Sequence, residues 1–218
     1  MREVPSIPWW PLFGAVALIH VVLLSVGAGP WDSVTKCLAA PLLVGWLWSI
    51  GAPRILMLAM IFCLGGDFFL EFDKDPFFLA GMASFALAHV CFIAWFVSRG
   101  ALPLLRQQPA LIGVLVAAAV AIVATVWTDI GDVVIQAALP FYALLLGGTA
   151  ATALVVDKLA GAGAVLFLVS DAIIALTAFG TVKATTVTDV AIMVLYLSAI
   201  ALLAVGASRL DPKVAASQ

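Results

Sequence analysis

Eight apolar stretches of hydrocarbon length, divided by short polar or glycine–proline breaks, leave this chain little choice of fold. They run over residues 10–27, 33–50, 54–72, 77–98, 110–127, 132–154, 161–180 and 188–208. A bilayer core is crossed by about 20 residues of α-helix. In lipid every backbone N–H and C=O must find a partner within the protein, which helices provide for themselves. No soluble domain of 218 residues needs a chain that is 65% hydrophobic and only 10% charged. The breaks carry turn chemistry: Gly27-Ala-Gly-Pro30, Gly51-Ala-Pro53, Asp73-Lys-Asp-Pro76, the stretch 99–109, Asp129-Ile-Gly-Asp132, Asp157-Lys158 and Thr181-Val-Lys183. The expectation is an all-α integral membrane protein, an eight-transmembrane-helix bundle with antiparallel neighbours. It forms one domain over residues 1–208, and a short polar tail over 209–218 hangs free.

Charge placement orients the bundle. The side of the N-terminus carries Arg2, Arg54, Arg99, Arg106, Lys158, Arg209 and Lys213, and the other side carries Lys36, Lys74 and Lys183. Basic loops stay in the cytoplasm, so both termini are expected there. The opposite side gathers Asp32, Glu71, Asp73, Asp75, Asp129, Asp132 and Asp189 into an acidic rim. All seven tryptophans (9, 10, 31, 46, 48, 95 and 127) lie near segment ends, as an interfacial aromatic belt requires. No cleavable signal peptide is expected, because the first stretch lacks a basic leader and a clear cleavage site. Cys37, Cys63 and Cys91 lie in apolar runs and read as small hydrophobes, with no disulfide expected. No basic stripe points to nucleic acid. A compact Ala/Val/Gly-rich chain points to a bacterial inner membrane.

Two aspartates stand where charge is expensive. Asp67 follows Leu64-Gly-Gly, and Asp171 follows Val169-Ser170. A carboxylate at membrane depth costs several kcal/mol unless it is paired, hydrated or protonated. Asp67 lies 13 residues after Arg54, and Asp171 lies 13 after Lys158. At 1.5 Å per residue both stand about 20 Å from the basic boundary. Segments 2 and 6 each hold a proline (Pro41 and Pro140), and segments 3 and 7 each hold an acid. Either a four-plus-four repeat or the sameness of apolar helices accounts for this.

Other polar residues have two readings each. Gly65-Gly66 either notches one helix against another or lets a ligand approach Asp67. Ser170 stands beside Asp171 in the same way. Glu71 lies one turn beyond Asp67 and either lines an entrance or is a solvated helix-end acid. Lys36 pairs with an intramembrane acid or a lipid phosphate, or snorkels to the interface. His89 is mid-segment, either a satisfied hydrogen-bonder or a working group, and His20 has no neighbouring motif. Tyr142 and Tyr196 are the only tyrosines. Their hydroxyls need partners and could orient a carboxylate or a headgroup. Gly-x-Ser-x-Gly, His-Glu-x-x-His, phosphate-loop and Cys-x-x-Cys motifs are all missing from the sequence. Two histidines cannot make a three-histidine zinc site, and a His89–Asp67–Asp171 metal site has no spacing signature. No metal and no organic cofactor are expected.

Two blocks resemble the YhhN family of membrane lysoplasmalogenases. Leu64-Gly-Gly-Asp67-Phe-Phe-Leu70 with Gly81-Met-Ala-Ser-Phe85-Ala-Leu-Ala-His89 is similar to the family's Gly-Asp-x-x-Leu and Gly-x-x-x-Phe-x-x-x-His. Gly163-Ala-Val-Leu-Phe167-Leu-Val-Ser170-Asp171 is similar to its Gly-x-x-x-Phe-x-x-Ser-Asp. Lys36 with Pro41, and Pro140 with Tyr142, match more loosely. Where the family often has glutamine after the tyrosine of the last helix, this chain has Leu197. The resemblance implies hydrolysis of the vinyl ether bond of a lysoplasmalogen to a fatty aldehyde and a glycerophospho-base. It maps the family's acids onto Asp67 and Asp171 and its histidine onto His89.

The residues suit that chemistry. Enol ethers open by protonation of the carbon β to oxygen, addition of water to the oxocarbenium ion, and collapse of the hemiacetal. One protonated carboxyl and one carboxylate sharing a low-dielectric site supply the acid and the base, as in glycosidases. Asp67 and Asp171 are the expected pair, with Lys36, Glu71, His89, Tyr142, Ser170 and Tyr196 binding or orienting a lysophospholipid within the bilayer. Membrane lipids are further expected partners. The rival readings are a proton-coupled transporter or lipid-handling protein, a hydrolase of another lysolipid, and a structural partner.

Overall fold

The computed structural model describes residues 7–72 and 75–215. Within them every regular element is helical. The order is α1 (Trp9–Val26), α2 (Pro30–Ser49), α3 (Arg54–Phe69), α4 (Asp75–Ser98), α5 (Ala101–Leu105), α6 (Pro109–Val126), α7 (Val133–Val156), α8 (Lys158–Ala178), α9 (Thr186–Arg209) and α10 (Pro212–Ala215). Each apolar stretch of the sequence is thus a helix. Six of the described helices, α1, α4, α6, α7, α8 and α9, are long and apolar enough to cross a membrane. The other two stretches fall short of that measure. Helix α3 has only 16 residues, and α2 carries Asp32 and Lys36 in its first two turns. Arg2, Asp73 and Lys74 lie outside the described residues.

Local chemistry sets the helix ends. Gly27 and Gly29, at φ 65° and 63°, turn the chain from α1 into α2 through a conformation that side chains disfavour. Asp132 caps α7 by accepting from the Val134 and Ile135 N–H groups at 2.7 and 2.9 Å. Asp157 leaves α7 in extended conformation and caps α8, accepting from Ala160 N–H at 2.7 Å. Thr185 and Thr188 make a reciprocal cap at the start of α9. The stretch 99–109, read from sequence as a simple break, contains the short α5.

Helices α7, α8 and α9 are the most enclosed, while α1 and α6 lie at the periphery. Leu18, Val22 and Val26 on α1, and Val114 and Val120 on α6, point outward. An apolar exterior of this kind suits lipid rather than water. Small residues bring the inner helices together. A Cβ on Gly163 would stand 2.8 Å from both Ala199 O and Leu203 N, so α8 packs directly on the α9 backbone. Gly65 and Gly66 leave room for Ser84 and Phe85 of α4. Two seryl hydroxyls tie these contacts: Ser84 donates to Phe62 O at 2.7 Å, and Ser170 donates to Ile192 O at 3.0 Å.

Two expectations are corrected. The tail does not hang free as far as residue 215. Arg99 reaches Asp211 at 3.2 Å, and Val214 of α10 is fully buried. Nor do all the tryptophans form an outer belt. Trp95 is buried and its indole N–H donates to Ala207 O at 2.9 Å, joining α4 to α9, while Trp46 is buried against Trp10. Nearness to a helix end says nothing about which way a side chain faces.

Candidate functional site

Helices α3 and α8 begin at Arg54 and Lys158. Each aspartate therefore stands 13 residues into its helix. Asp67 falls in the last turn of α3 and is 1% exposed. Asp171, well inside the longer α8, is half-buried. Each carboxylate has its own tyrosine. Tyr196 of α9 donates to Asp67 Oδ2 at 2.7 Å, and Tyr142 of α7 donates to Asp171 Oδ2. The only two tyrosines of the chain thus serve the two aspartates found inside its apolar helices. In each carboxyl group Oδ1 is left for other work.

Aromatic rings fill the space between the pairs. Phe167 packs edge-on against Tyr196 at 5.4 Å and against His89 at 4.7 Å, and His89 lies 6.0 Å from Tyr142. Phe85 closes the group against Phe167 and Tyr196. Phe167 and His89 are nearly or fully inaccessible. His89 Nδ1 lies 3.0 Å from the Thr149 hydroxyl, which donates to Leu145 O at 3.0 Å. The hydroxyl proton is committed to that carbonyl, so Nδ1 carries the histidine proton and Nε2 bears the lone pair. That Nε2 is buried with no protein partner.

Two cavities adjoin this core. The first is apolar, formed by α4, α6, α7 and α8, and lined by Phe78, Met82, Phe85, Ile122 and Leu146 together with Tyr142 and Asp171. The second is polar, formed by α1, α2, α9 and the turn after α3. It is lined by His20, Asp32, Ser33, Lys36, Glu71 and Asp189. Leu70, Phe78 and Ile174 line both cavities and form the wall they share.

Lys36 and Glu71 form an ion pair at 2.7 Å across α2 and the turn after α3. Lys36 thus meets neither aspartate directly, and Glu71 is not simply solvated. Ser170, bonded to Ile192 O, faces α9 and sets the position of α8 rather than lining either cavity. The structure therefore groups Asp171, Tyr142, His89, Asp67 and Tyr196 around one aromatic core. It sets Lys36 and Glu71 apart in the polar cavity. Among the described residues no three His, Cys, Asp or Glu side chains converge in a way that could hold a metal ion.

Sequence reasoning missed His20, Thr149, Ser33 and the particular place of Asp189. No local pattern marks them. Only the helix packing brings them to the site, although His20 in an apolar helix was itself a signal.

The fold and site define a polytopic helical membrane protein with two tyrosine–aspartate pairs among its helices. The chain belongs to the YhhN family, whose family model matches residues 31–207. No curated protein and no solved structure matches it.

Proposed function

We propose that the protein is a lysoplasmalogenase-like hydrolase that cleaves the vinyl ether bond of a lysolipid with Asp171 and Asp67. The observation that carries this reading is the placement of a carboxyl at an apolar cavity that shares a wall with a polar one. Asp171 lines the cavity that fits an alkenyl chain, and Lys36 lines the cavity that fits a phosphate-bearing headgroup. YhhN membership is consistent with it.

In this reading Asp171 is the acid. Its Oδ2 accepts from Tyr142, which leaves Oδ1 to carry the proton that passes to the alkenyl carbon β to oxygen. The resulting oxocarbenium ion is stabilised by the Asp67 carboxylate, held by Tyr196 against the same aromatic core. Asp67 takes a proton from water as the water oxygen bonds to the cationic carbon. The hemiacetal then collapses as its hydroxyl proton passes to Asp171 and Asp67 returns its proton to the departing glycerol oxygen, which gives fatty aldehyde and glycerophospho-base, restores both carboxyls and consumes one water in all. The tyrosines fix carboxyl orientation. Tyr142→Phe and Tyr196→Phe are each expected to lower kcat by about ten- to a hundredfold, the effect of losing one hydrogen bond to a charged group. Steady-state kinetics on a purified lysoplasmalogen measures this, and an unchanged kcat in either variant counts against the role.

Lys36 spends one of its three ammonium protons on Glu71, leaving two for a phosphate. Removing it takes away binding shared by ground and transition states, so Lys36→Met should raise KM with little change in kcat. An equal fall in kcat would place Lys36 in the chemistry instead.

Activity in detergent distinguishes this reading from transport, which needs a sealed compartment. The reading also includes eight spans, both termini in the cytoplasm, a bacterial inner membrane and a four-plus-four relation of the halves. The close packing of α3 on α4, matched by that of α8 on α9, supports that relation. So does the common depth of Asp67 and Asp171.

A further inference from the structure

The basic end of the bundle carries a groove that the hydrolase reading leaves unused. It runs between α1, α2 and α9 and is lined by Trp10, Trp46, Val205 and Arg209. Arg209 ends α9, 13 residues beyond Tyr196. At 1.5 Å per residue that is about 20 Å from the Tyr196–Asp67 pair. The groove is therefore separate from the two cavities beside the acids. Packing holds its shape. A Cβ on Gly45 would run into the Trp9 ring, so a glycine notch in α2 seats Trp9 and fixes the start of α1. Trp10, the next residue, meets the Trp46 ring edge-on at 4.8 Å. The two indoles form one wall, and Val205 and Arg209 of α9 form the other.

Every polar side chain that lines this groove is a donor, and none has an acceptor. Arg209 is exposed and makes no ion pair or hydrogen bond among the described residues. Arg99, at the same end, is by contrast spent on Asp211 and on the Trp95 ring. A second observation is independent of that charge. Trp46 is only 9% exposed, yet its indole N–H has no protein acceptor among the described residues. The atom is not sealed within the protein, so it opens to the groove that Trp46 lines. The buried Trp95, facing no such groove, gives its N–H to Ala207 O.

Donors without acceptors, between apolar walls, define the ligand: an anion with several acceptor oxygens joined to a hydrocarbon chain. A guanidinium grips a phosphate through parallel N–H bonds. Tryptophan lies at the headgroup level of a bilayer. Arg54, which begins α3, and Lys213 of α10 add positive charge at the same end. A lipid of net negative charge is therefore favoured over a zwitterionic one, whose quaternary ammonium would enter a field of its own sign.

We propose that this groove binds one anionic phospholipid from the leaflet on the basic side. Arg209 and the Trp46 N–H donate to its phosphate, and an acyl chain lies along Val205 between α1 and α9. The lipid is a structural ligand and not a substrate, because the acids are too far away to reach it. Bound there, it ties peripheral α1 to α2 and α9. The assignment goes beyond the hydrolase reading and does not depend on it.

Native mass spectrometry of the full-length protein in detergent counts bound lipid as phosphatidylglycerol or phosphatidylcholine of the same chains is titrated in. The expected result is one tight phosphatidylglycerol, bound about tenfold more strongly than phosphatidylcholine, the effect of one charge-assisted contact. Arg209→Gln should bring the two lipids close to parity. Trp46→Phe keeps a ring and loses the N–H, and should weaken phosphatidylglycerol by about three- to tenfold, the worth of one hydrogen bond. Arg106→Gln removes an equal charge from the same end, on the turn after α5 and outside the groove, and should leave affinity unchanged. If Arg106→Gln loses as much as Arg209→Gln, the attraction belongs to a basic surface and the site is refuted. Equal affinities for the two lipids, or binding by Arg209→Gln as tight as the parent's, overturn the proposal as well. Inorganic phosphate in large excess should not displace the lipid; displacement would mean that the groove takes a free anion. Phosphatidylglycerol should also raise the melting temperature of the parent, since a ligand of the folded state stabilises it. The same rise in Arg209→Gln would place the lipid elsewhere. Arg209 is exposed, so its variant answers the question if Trp46→Phe does not fold.

Discussion

Asp171→Asn is expected to reduce aldehyde release from a lysoplasmalogen by at least a hundredfold, and Asp67→Asn by a comparable factor. Proton transfer by a positioned side chain contributes about 10²- to 10⁴-fold, and asparagine keeps the shape of each carboxyl while removing the transferable proton. The Tyr142 and Tyr196 hydroxyls can still donate to the amide oxygen, so both variants should fold with melting temperatures near that of the parent. The two losses should also fail to add. Removing either partner of an acid–base pair leaves the other with nothing to act on, and the double variant should be about as slow as the slower single one. Aldehyde release by the purified single and double variants measures this. Substantial activity in Asp171→Asn would refute its assignment as the proton donor. Additive losses would mean that the acids act separately.

The second large effect lies in packing. Gly163→Leu should lower stability by about 1–3 kcal/mol or more, the usual range for overpacking. A Cβ alone would stand 2.8 Å from Ala199 O and Leu203 N. Those are backbone atoms of α9, which cannot rotate aside as a side chain could. The helices must part, and the Ser170–Ile192 bond about two turns further along α8 stretches with them. Asp171 moves with α8, and Tyr196 moves with α9. Activity should therefore fall together with the melting temperature. Gly113→Ala is the control. Gly113 lies on peripheral α6, nothing stands within 4 Å of the added carbon, and alanine favours a helix over glycine by about 1 kcal/mol. Thermal melts of both variants in one detergent make the comparison. A Gly163→Leu protein as stable as the parent would mean that α8 and α9 are not in direct backbone contact.

Much of the architecture was legible along the chain. The glycine–proline breaks and the polar pairs at 129–132 and 157–158 coincide with helix ends, because capping and turn chemistry act over a few residues. Asp67 and Asp171 stood out for a reason that needs no tertiary structure: a carboxyl in an apolar helix is costly wherever that helix packs. Their equal spacing from Arg54 and Lys158 was likewise a matter of counting. The same counting misled at the tryptophans, where helix-end position could not tell buried Trp95 from exposed Trp48.

Pairing was beyond the reach of local pattern. That Tyr196 serves Asp67 across 129 residues, while Tyr142 serves Asp171 across 29, depends on which helices touch. Lys36 meets Glu71 rather than an aspartate because α2 lies against the end of α3. His20 becomes part of a polar cavity only because α1, α2 and α9 enclose one. Apolar periodicity that runs nearly all round a helix carries little record of which face meets which neighbour. The sequence by itself determined that this chain is a set of membrane-length helices with two costly carboxyls inside. Small-residue contacts between those helices, whose short range brings backbones together at a few positions only, decided which hydroxyl, ammonium and imidazole each carboxyl would find.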